Sequence, residues 1–294
     1  MDEIDLIVLR KLMENSRLTY RELAEITEMT VSAIHKRIKK LVEDESINAF
    51  IARPSVIALK SLWVSTFGTS NAKSMDDVSK ELGQHESIYF VAIAGGKFLY
   101  IGAYLRNITE LQDFNSFVSN TAQISEPTVG ILNVPYLTIP ESLTGIDFKI
   151  LKTLNRDARK SIADIAEEVG ISPRTARRRL NRMNENGLAS FTIEWTPRSE
   201  NNFITVFHLF LHEGTDINST IKHITEKYSP HIAYVLSYSN LPNFITMHTW
   251  SKSSKDSQSI QEEIQDEGFK DVIPHIVLYG NYYDCWVDQL LRTK

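Results

Sequence analysis

The segment SPRTARRRLNRMNENG, residues 172–187, carries five arginines and no acidic residue before Glu185. The chain around it is slightly acidic, with a formal net charge of −5 over 294 residues. A second segment, TVSAIHKRIKKLVEDE at residues 30–45, has the same design, with four basic residues before its first acid. Positive charge that is concentrated, without intervening acids, in two short segments of an acidic chain indicates a local surface for a polyanion.

These segments belong to two copies of one unit. Residues 4–44 align with residues 146–186 without gaps, and their apolar positions match even where the residues differ. A repeat period of about half the chain indicates a duplicated unit rather than a solenoid of short repeats. Identical pairs include Ile4/Ile146, Asp5/Asp147, Leu9/Leu151, Leu12/Leu154, Arg17/Arg159, Ala24/Ala166, Arg37/Arg179 and Glu43/Glu185.

Each copy predicts three helices, because capping residues mark where each helix begins. A capping residue followed three positions later by an acid predicts a capping box; the four pairs are Asp2/Asp5, Thr19/Glu22, Thr144/Asp147 and Ser161/Asp164. The third helices open at Thr30 and at Ser172, with Pro173 in the first helical position. Gly170 and Gly187 predict left-handed turns, whereas the first copy has Glu28 and Glu45 there, so its turns are expected to be less regular.

The third helix of each copy has an apolar stripe and an opposite polar, basic face. The stripes are Ile34, Ile38 and Leu41, and Ala176, Leu180 and Met183. Three short helices with a basic third one predict a helix-turn-helix (HTH) whose third helix enters the DNA major groove. The predicted DNA-binding residues are Ser32, Ala33, Lys36, Lys39, Lys40, Arg174, Thr175, Arg177, Arg178, Asn181 and Arg182.

Within this set the roles are expected to differ. Arg174, Arg178 and Asn181 are predicted to meet base edges, with Ser32, Lys36 and Lys39 as their counterparts. Arg177, Arg182 and Lys40 are predicted to meet phosphates. Arg37 and Arg179 lie nearer the apolar stripe, so they are expected to bond inside the unit. The alternative is that each basic run is only a solvated helix face.

The remaining segments predict strand–helix–strand–strand–helix–strand in each half, a ferredoxin-like sheet with helices on one face. The fold class is therefore α+β, with predicted domains at residues 1–55 (winged HTH), 56–140 (βαββαβ), 141–197 (winged HTH) and 198–294 (βαββαβ). The runs INAFIARPS and LASFTIEWTP predict a small wing hairpin after each HTH. Gly95-Gly96 and SNLPN, residues 239–243, predict hairpin turns.

The second face of each predicted sheet is apolar as well. By strand alternation it carries Phe90, Ala92, Phe98 and Tyr100 in the first copy, and Tyr234, Leu236, Phe244 and Trp250 in the second. An apolar face of this kind has to be buried against another surface. Either the two sheets pack on one another, or each sheet pairs with another chain.

An HTH of this form followed by a βαββαβ domain resembles the Lrp/AsnC, or feast/famine, family of transcription regulators. The opening Ile-Asp motif, the basic third helix and the hairpin AGGKFLY carry the resemblance. It implies sheet domains that pair face to face, further homo-oligomerisation, and an amino-acid effector near the hairpin residues Gly95, Gly96 and Lys97. It also implies a single-chain pseudo-dimer on double-stranded DNA. A tight turn without a ligand is the alternative interpretation of Gly95 and Gly96.

The histidines support a rival hypothesis. Sirohaem decarboxylases also resemble the Lrp/AsnC family, and they use histidines of this domain on a tetrapyrrole. Strand alternation places His208 and His212 on one face, which His248 and His275 are expected to approach. Satisfied core or interface histidines are the alternative, and no acid or cysteine motif supports a metal site. Six of the eight histidines lie in the second sheet domain: His208, His212, His223, His231, His248 and His275.

Composition narrows the class of protein. No apolar run approaches the 18 or more residues of a membrane span, and the first residues lack the pattern of a signal peptide. The single cysteine, Cys285, excludes an internal disulfide and is expected to be buried. The sequence therefore predicts a cytoplasmic regulator that is not an enzyme, needs no cofactor or metal, and does not bind a membrane.

Overall fold

The computed structural model describes residues 1–134, 141–196, 203–229 and 231–294. Its first half contains a three-helix unit followed by a βαββαβ unit. The elements are α1 Glu3–Glu14, α2 Tyr20–Ile26, α3 Val31–Glu43, β1 Ile47–Pro54, α4 Val56–Leu59, β2 Leu62–Thr69, α5 Met75–Leu82, β3 Ile88–Ala94, β4 Phe98–Leu105, α6 Leu111–Ala122 and β5 Thr128–Ile131.

The second half repeats this order, except that its described residues contain no counterpart of α4, and it adds a C-terminal helix. Its elements are α7 Gly145–Leu154, α8 Ile162–Val169, α9 Pro173–Glu185, β6 Ala189–Trp195, β7 Phe203–Phe210, α10 Ile217–Lys227, β8 Ile232–Tyr238, β9 Leu241–Ser251, α11 Ser254–Gln265, β10 Asp271–Tyr282 and α12 Trp286–Thr293. The predicted domain boundaries at residue 140 and at residues 197–198 lie outside the described residues, as do residues 135–139 of the run TVGILNVPYLTI.

The helix starts follow the capping residues. Capping boxes form at Asp2, Thr19 and Thr144, as predicted. Ser161 accepts a bond from the backbone N–H of Asp164, which makes an N-cap without the predicted reciprocal bond to the backbone. Local side-chain chemistry therefore sets where both three-helix units begin.

The turns after the second and third helices are the same in both copies. Gly170 and Gly187 have φ of 73° and 59°, as predicted, but Glu28 and Glu45 adopt the same conformation, with φ of 54° and 57°. The expectation of less regular turns in the first copy was wrong. The packing of three helices around one apolar core holds the turn even where a side chain disfavours it.

Replacing Glu28 by glycine should raise the free energy of unfolding by about 0.5–1 kcal/mol, because glycine removes the steric cost of the left-handed conformation. Glu28 is exposed, so few contacts are lost. Urea denaturation measures the change. Gly170→Ala is the matched control, and its free energy of unfolding should fall by a similar amount. A Cβ at residue 170 meets no described atom within 4 Å, so the loss comes from the left-handed backbone conformation and not from a clash. A Glu28→Gly protein less stable than the wild type would contradict this account.

The eight strands β2–β5 and β7–β10 form one sheet, in the order β5-β2-β4-β3-β10-β7-β9-β8. Each half contributes a ferredoxin-like group of four strands, and antiparallel pairing of β3 with β10 joins the groups. The two outer ends meet as well, because the Asn133 N–H donates to the Ser237 carbonyl and the Ser239 N–H donates to the Ile131 carbonyl, both at 2.8 Å. These bonds flank a single bridge between Leu132 and Tyr238, so the sheet closes into a barrel at the C-terminal ends of β5 and β8.

The apolar inner face of the barrel is covered within the chain. Phe67, Ala92 and Tyr100 of the first half share one cluster with Val206 and Phe244 of the second. Of the two alternatives left open by the sequence, the structure shows packing of the two sheet groups on one another within the chain. The alternative, in which each sheet needs another chain, is unnecessary for burying this face.

The predicted wing hairpins were wrong. Each extended run forms a single strand, and β1 pairs antiparallel with β6 of the other copy, for example Ile51 with Thr192. No second strand follows β1, because Ser55 caps the short helix α4 directly after Pro54. The two three-helix units are thus joined by a ribbon to which both contribute.

Candidate nucleic-acid interface

The third helices α3 and α9 each turn one face inward and one outward. The predicted stripes Ile34, Ile38 and Leu41, and Ala176, Leu180 and Met183, are all buried. Thr30 and Ser172 cap the two helices by accepting bonds from the backbone N–H groups of Ala33 and Thr175, both at 3.2 Å. Burial of the apolar stripe leaves the opposite face of each helix to solvent.

The outward face of α9 is strongly basic. Arg174, Arg177, Arg178 and Asn181 are exposed, and Thr175 is half-buried. Within the described ranges of the chain, none of these three arginines has an ion-pair partner. Their guanidinium groups are therefore available to a ligand, and together with Asn181 they line a shallow groove along the helix.

The outward face of α3 is less basic. Ser32, Lys36, Lys39 and Lys40 are exposed, and Ala33 is half-buried. Lys39 has an acidic neighbour one turn away, with its Nζ 3.6 Å from Glu43 Oε1. Among the described residues, Lys36 and Lys40 have no ion-pair partner.

Arg37 and Arg179 bond inside their units, as predicted. Arg37 Nη1 lies 2.7 Å from Asp5 Oδ1, and Arg179 Nη1 lies 3.0 Å from Asp147 Oδ1. Each aspartate also belongs to the capping box of the first helix. The same carboxylate therefore begins one helix and anchors the third one against it.

Arg182 lies in a different setting from the other predicted phosphate contacts. Its Nη2 is 2.7 Å from Asp147 Oδ2, and its Nη1 is 2.7 Å from Glu141 Oε2. Burial tends to raise the pKa of Asp147, but hydrogen bonds from Thr144 and Arg179 and the charge of Arg182 outweigh burial and lower the pKa. Arg182 therefore has two acidic partners that a phosphate would have to displace.

Reciprocal arginines hold the two units together. Arg17 donates to the carbonyl of Lys160 at 3.2 Å and also to that of Ala158, and its counterpart Arg159 donates to the carbonyls of Ser16 and Leu18, each at 2.8 Å. Such mutual bonds relate the copies by an approximate twofold axis. Together with the β1–β6 ribbon, they fix the two outward basic faces relative to one another.

A buried ionic cluster beneath the ribbon was missed by the sequence analysis. Arg53 of β1 is 4% exposed, and its Nε lies 2.7 Å from Oδ1 of Asp288 in α12, which is fully buried. Glu194 of β6 binds Arg156 and lies 3.5 Å from Arg53 Nη2. The sequence carried no signal for this cluster beyond the presence of charged residues in β1, β6 and α12. Cys285, at the start of α12, is buried, as expected.

The hairpin proposed for an effector is a short exposed turn. Gly95–Lys97 joins β3 to β4, and Gly96 has a φ of 69°. Lys97 Nζ donates to the carbonyl of Ala72 at 2.8 Å. This turn therefore bonds to its own domain through Lys97.

The predicted histidine group assembles only in part. His208 is buried, its ring centroid lies 4.6 Å from that of His275, and its Nε2 is 2.8 Å from the Tyr100 hydroxyl. Burial and the neighbouring histidines lower the pKa of His208 to about 3. His248 stacks on Tyr234 at 4.1 Å. His212 was placed wrongly, because β7 ends at Phe210 and His212 is exposed beyond it.

The described residues contain neither a candidate metal centre nor a candidate membrane span. No group of three or more histidine, cysteine or acidic side chains is placed to hold a metal ion there. No helix in the same residues combines the length and apolarity needed to cross a bilayer.

The chain is similar to known proteins at the level of both sequence and fold. The family model described as winged helix-turn-helix DNA-binding matches residues 1–47 and 143–189. An uncharacterised HTH-type transcriptional regulator of Pyrococcus horikoshii is 31% identical over 124 residues, which span 42% of this chain and 83% of that protein. One of Pyrococcus furiosus is 30% identical over 106 residues, which span 36% of this chain and 72% of that protein. These relatives are therefore much shorter than this chain.

A likeness to a solved structure extends over the whole chain. A sirohaem decarboxylase superposes on 99% of this chain and on 98% of its own, with a TM-score of 0.61 and 11% sequence identity. Identity at this level shows a shared fold, including the tandem arrangement, and nothing about shared chemistry.

Proposed function

Because this chain belongs to the HTH-type transcriptional regulators, as its resemblance to the Lrp/AsnC family predicted, we propose that it binds duplex DNA sequence-specifically as a single-chain pseudo-dimer. One observation carries the proposal: two outward helix faces bear basic side chains that have no ion-pair partner within the described part of the chain, on units that are bonded to one another. Two such helices about one helical turn apart can enter successive major grooves.

The proposed roles follow the exposed side chains. Arg174, Arg178 and Asn181 read base edges, since a guanidinium or an amide can bond a base at two points. Arg177 and Lys40 neutralise phosphates. Arg182, which is engaged by Asp147 and Glu141, contributes to anchoring the helix and reaches a phosphate only by exchanging those partners.

Binding should depend steeply on salt, because neutralised phosphates release counterions. With two phosphates engaged by Arg177 and Lys40, the logarithm of the association constant should fall with the logarithm of salt at a slope of about −2. Fluorescence anisotropy of a labelled duplex measures this slope. Arg177→Ala should make it shallower by about 1. Lys80→Ala, an exposed lysine of α5 in the sheet domain, is the control and should leave the slope unchanged. Salt-independent binding would contradict the proposal.

We further propose that the chain is not an enzyme. His208 already bonds Tyr100 and packs edge-on against Phe67 and Phe244, which supports a structural role. The rival tetrapyrrole function has a simple test: haem added to the purified protein should produce no Soret band that depends on His248. Such a band, lost in His248→Ala, would favour the rival.

The proposal also includes an amino-acid effector and further homo-oligomerisation. An amino acid bound near Gly95–Lys97 should shift the thermal unfolding temperature of the wild type and not that of Lys97→Ala. Further homo-oligomerisation, as in the family, would place several pseudo-dimers on one DNA and is measured by sedimentation. The proposal places the protein in the cytoplasm, with the DNA that it binds.

A further inference from the structure

The two third helices share their internal contacts but not their outward faces. Arg37 and Arg179 are identical and bond to equivalent aspartates, and the inward stripes are apolar in both. Four equivalent outward positions carry different residues in the two copies: Ser32/Arg174, His35/Arg177, Lys36/Arg178 and Lys39/Asn181. The residues that pack inside each unit are therefore alike in the two copies, whereas the residues that would face a ligand differ.

These differences change the chemistry available to each helix. Arg174 and Arg178 are planar forks that bond the O6 and N7 of guanine at two points, and Asn181 can do the same with adenine. Ser32 offers a hydroxyl that suits any base, and Lys36 offers a flexible ammonium, which can reach guanine but fixes the geometry of the contact less strictly than a planar guanidinium. At the first helical position, Val31 is 48% exposed, where α9 has Pro173; an exposed apolar side chain suits the methyl group of thymine.

Covalent linkage makes this difference permanent. In a homodimer both recognition helices are identical, so the protein twofold matches a palindromic site. In this chain every molecule presents one helix of each kind, held by the β1–β6 ribbon and by the reciprocal bonds of Arg17 and Arg159. A palindromic site presents the same bases to both helices, so it would match the outward face of α3 or that of α9 but not both.

We infer that the DNA target is non-palindromic, with a guanine-containing half-site under α9 and an unlike, less strictly defined half-site under α3. This inference rests on the proposed DNA-binding function. The chain therefore binds its site in one orientation. The α9 half-site dominates affinity, because α9 exposes three arginines that have no ion-pair partner among the described residues. On α3 only two lysines are in that position, and Lys39 has Glu43 beside it.

Selection of bound duplexes from random DNA tests the inference. The wild type should enrich sites with two unlike halves, with guanine required in one of them. The comparison is a symmetrised protein with Ser32→Arg, His35→Arg, Lys36→Arg and Lys39→Asn in α3, all at exposed positions. It should enrich an inverted repeat of the guanine-containing half. Thermal unfolding verifies that the symmetrised protein is folded.

Direct titration gives the second measurement. Two symmetric duplexes, each an inverted repeat of one selected half, should bind the wild type at least about tenfold more weakly than the unlike-half duplex. Equal binding to either symmetric duplex, enrichment of an inverted repeat by the wild type, or enrichment of one half alone would overturn the inference and leave DNA binding intact. If no sequence is enriched and binding is independent of salt, the proposed function itself fails.

Discussion

Replacing Arg178 by alanine should weaken binding to the selected duplex by about 1–3 kcal/mol, or roughly 5- to 150-fold. Arg178 is exposed on the outward face of α9 and, in the part of the chain that the structure describes, has no ion-pair partner. Its guanidinium is therefore free to bond a base at two points. Binding to unrelated DNA should fall much less, because that binding depends mainly on total charge.

Two variants separate base recognition from charge and from folding. Arg178→Lys keeps the charge but loses the planar fork, so it should restore binding to unrelated DNA without restoring sequence preference. Arg179→Ala removes the neighbouring arginine, which binds Asp147, and should lower the unfolding temperature, whereas Arg178→Ala should not. Anisotropy on matched and unrelated duplexes measures both effects. If Arg178→Ala keeps full preference for the selected site, its role in base recognition is wrong.

Replacing Asp288 by alanine should lower the free energy of unfolding by about 3–5 kcal/mol, because it leaves a buried guanidinium without its main partner. Arg53 Nε and Nη2 lie 2.7 Å and 2.9 Å from the two carboxylate oxygens of Asp288. Asp288 also accepts bonds from Asn155 Nδ2 at 2.9 Å and from the Cys285 backbone N–H at 3.1 Å. The side chain thus ties β1, α7 and α12 together.

The matched control removes both charges at once. Arg53→Met combined with Asp288→Leu replaces the buried pair by apolar side chains, and should be clearly more stable than Asp288→Ala. Urea denaturation of the two proteins and of the wild type gives the comparison. A double variant as unstable as the single one would show that the loss comes from the cap of α12 or from packing, and not from an unpaired buried charge.

Much of the three-helix units was predictable, because their signals are local. A capping residue and its partner lie three positions apart, and the apolar stripe of a helix recurs every three to four residues. Thr30 and Ser172 therefore marked their helices, and the stripe that includes Leu180 and Met183 separated the inward face from the outward one. The internal bonds of Arg37 and Arg179 followed from the same periodicity.

The errors concern features that depend on distant parts of the chain. Nothing near Glu28 indicates a left-handed turn, which the packing of the three helices imposes. Each of the runs that form β1 and β6 was predicted to fold into its own hairpin, because its actual partner strand lies in the other copy. His212 was assigned to β7, which ends at Phe210. Arg53 and Asp288 lie 235 positions apart, so no local pattern could pair them.

The amino-acid sequence by itself determined the duplication, which the alignment of its two halves reveals. It also determined the order of helices and strands and the two basic third helices with their unlike outward residues, since these depend on side chains only a few positions apart. Only the tertiary structure decided that the two sheets close into one barrel within the chain, that β1 and β6 pair across the copies, and which arginines have no acidic partner among the described residues. These depend on which distant surfaces can bury one another, and the free energy of that burial is a property of the assembled chain.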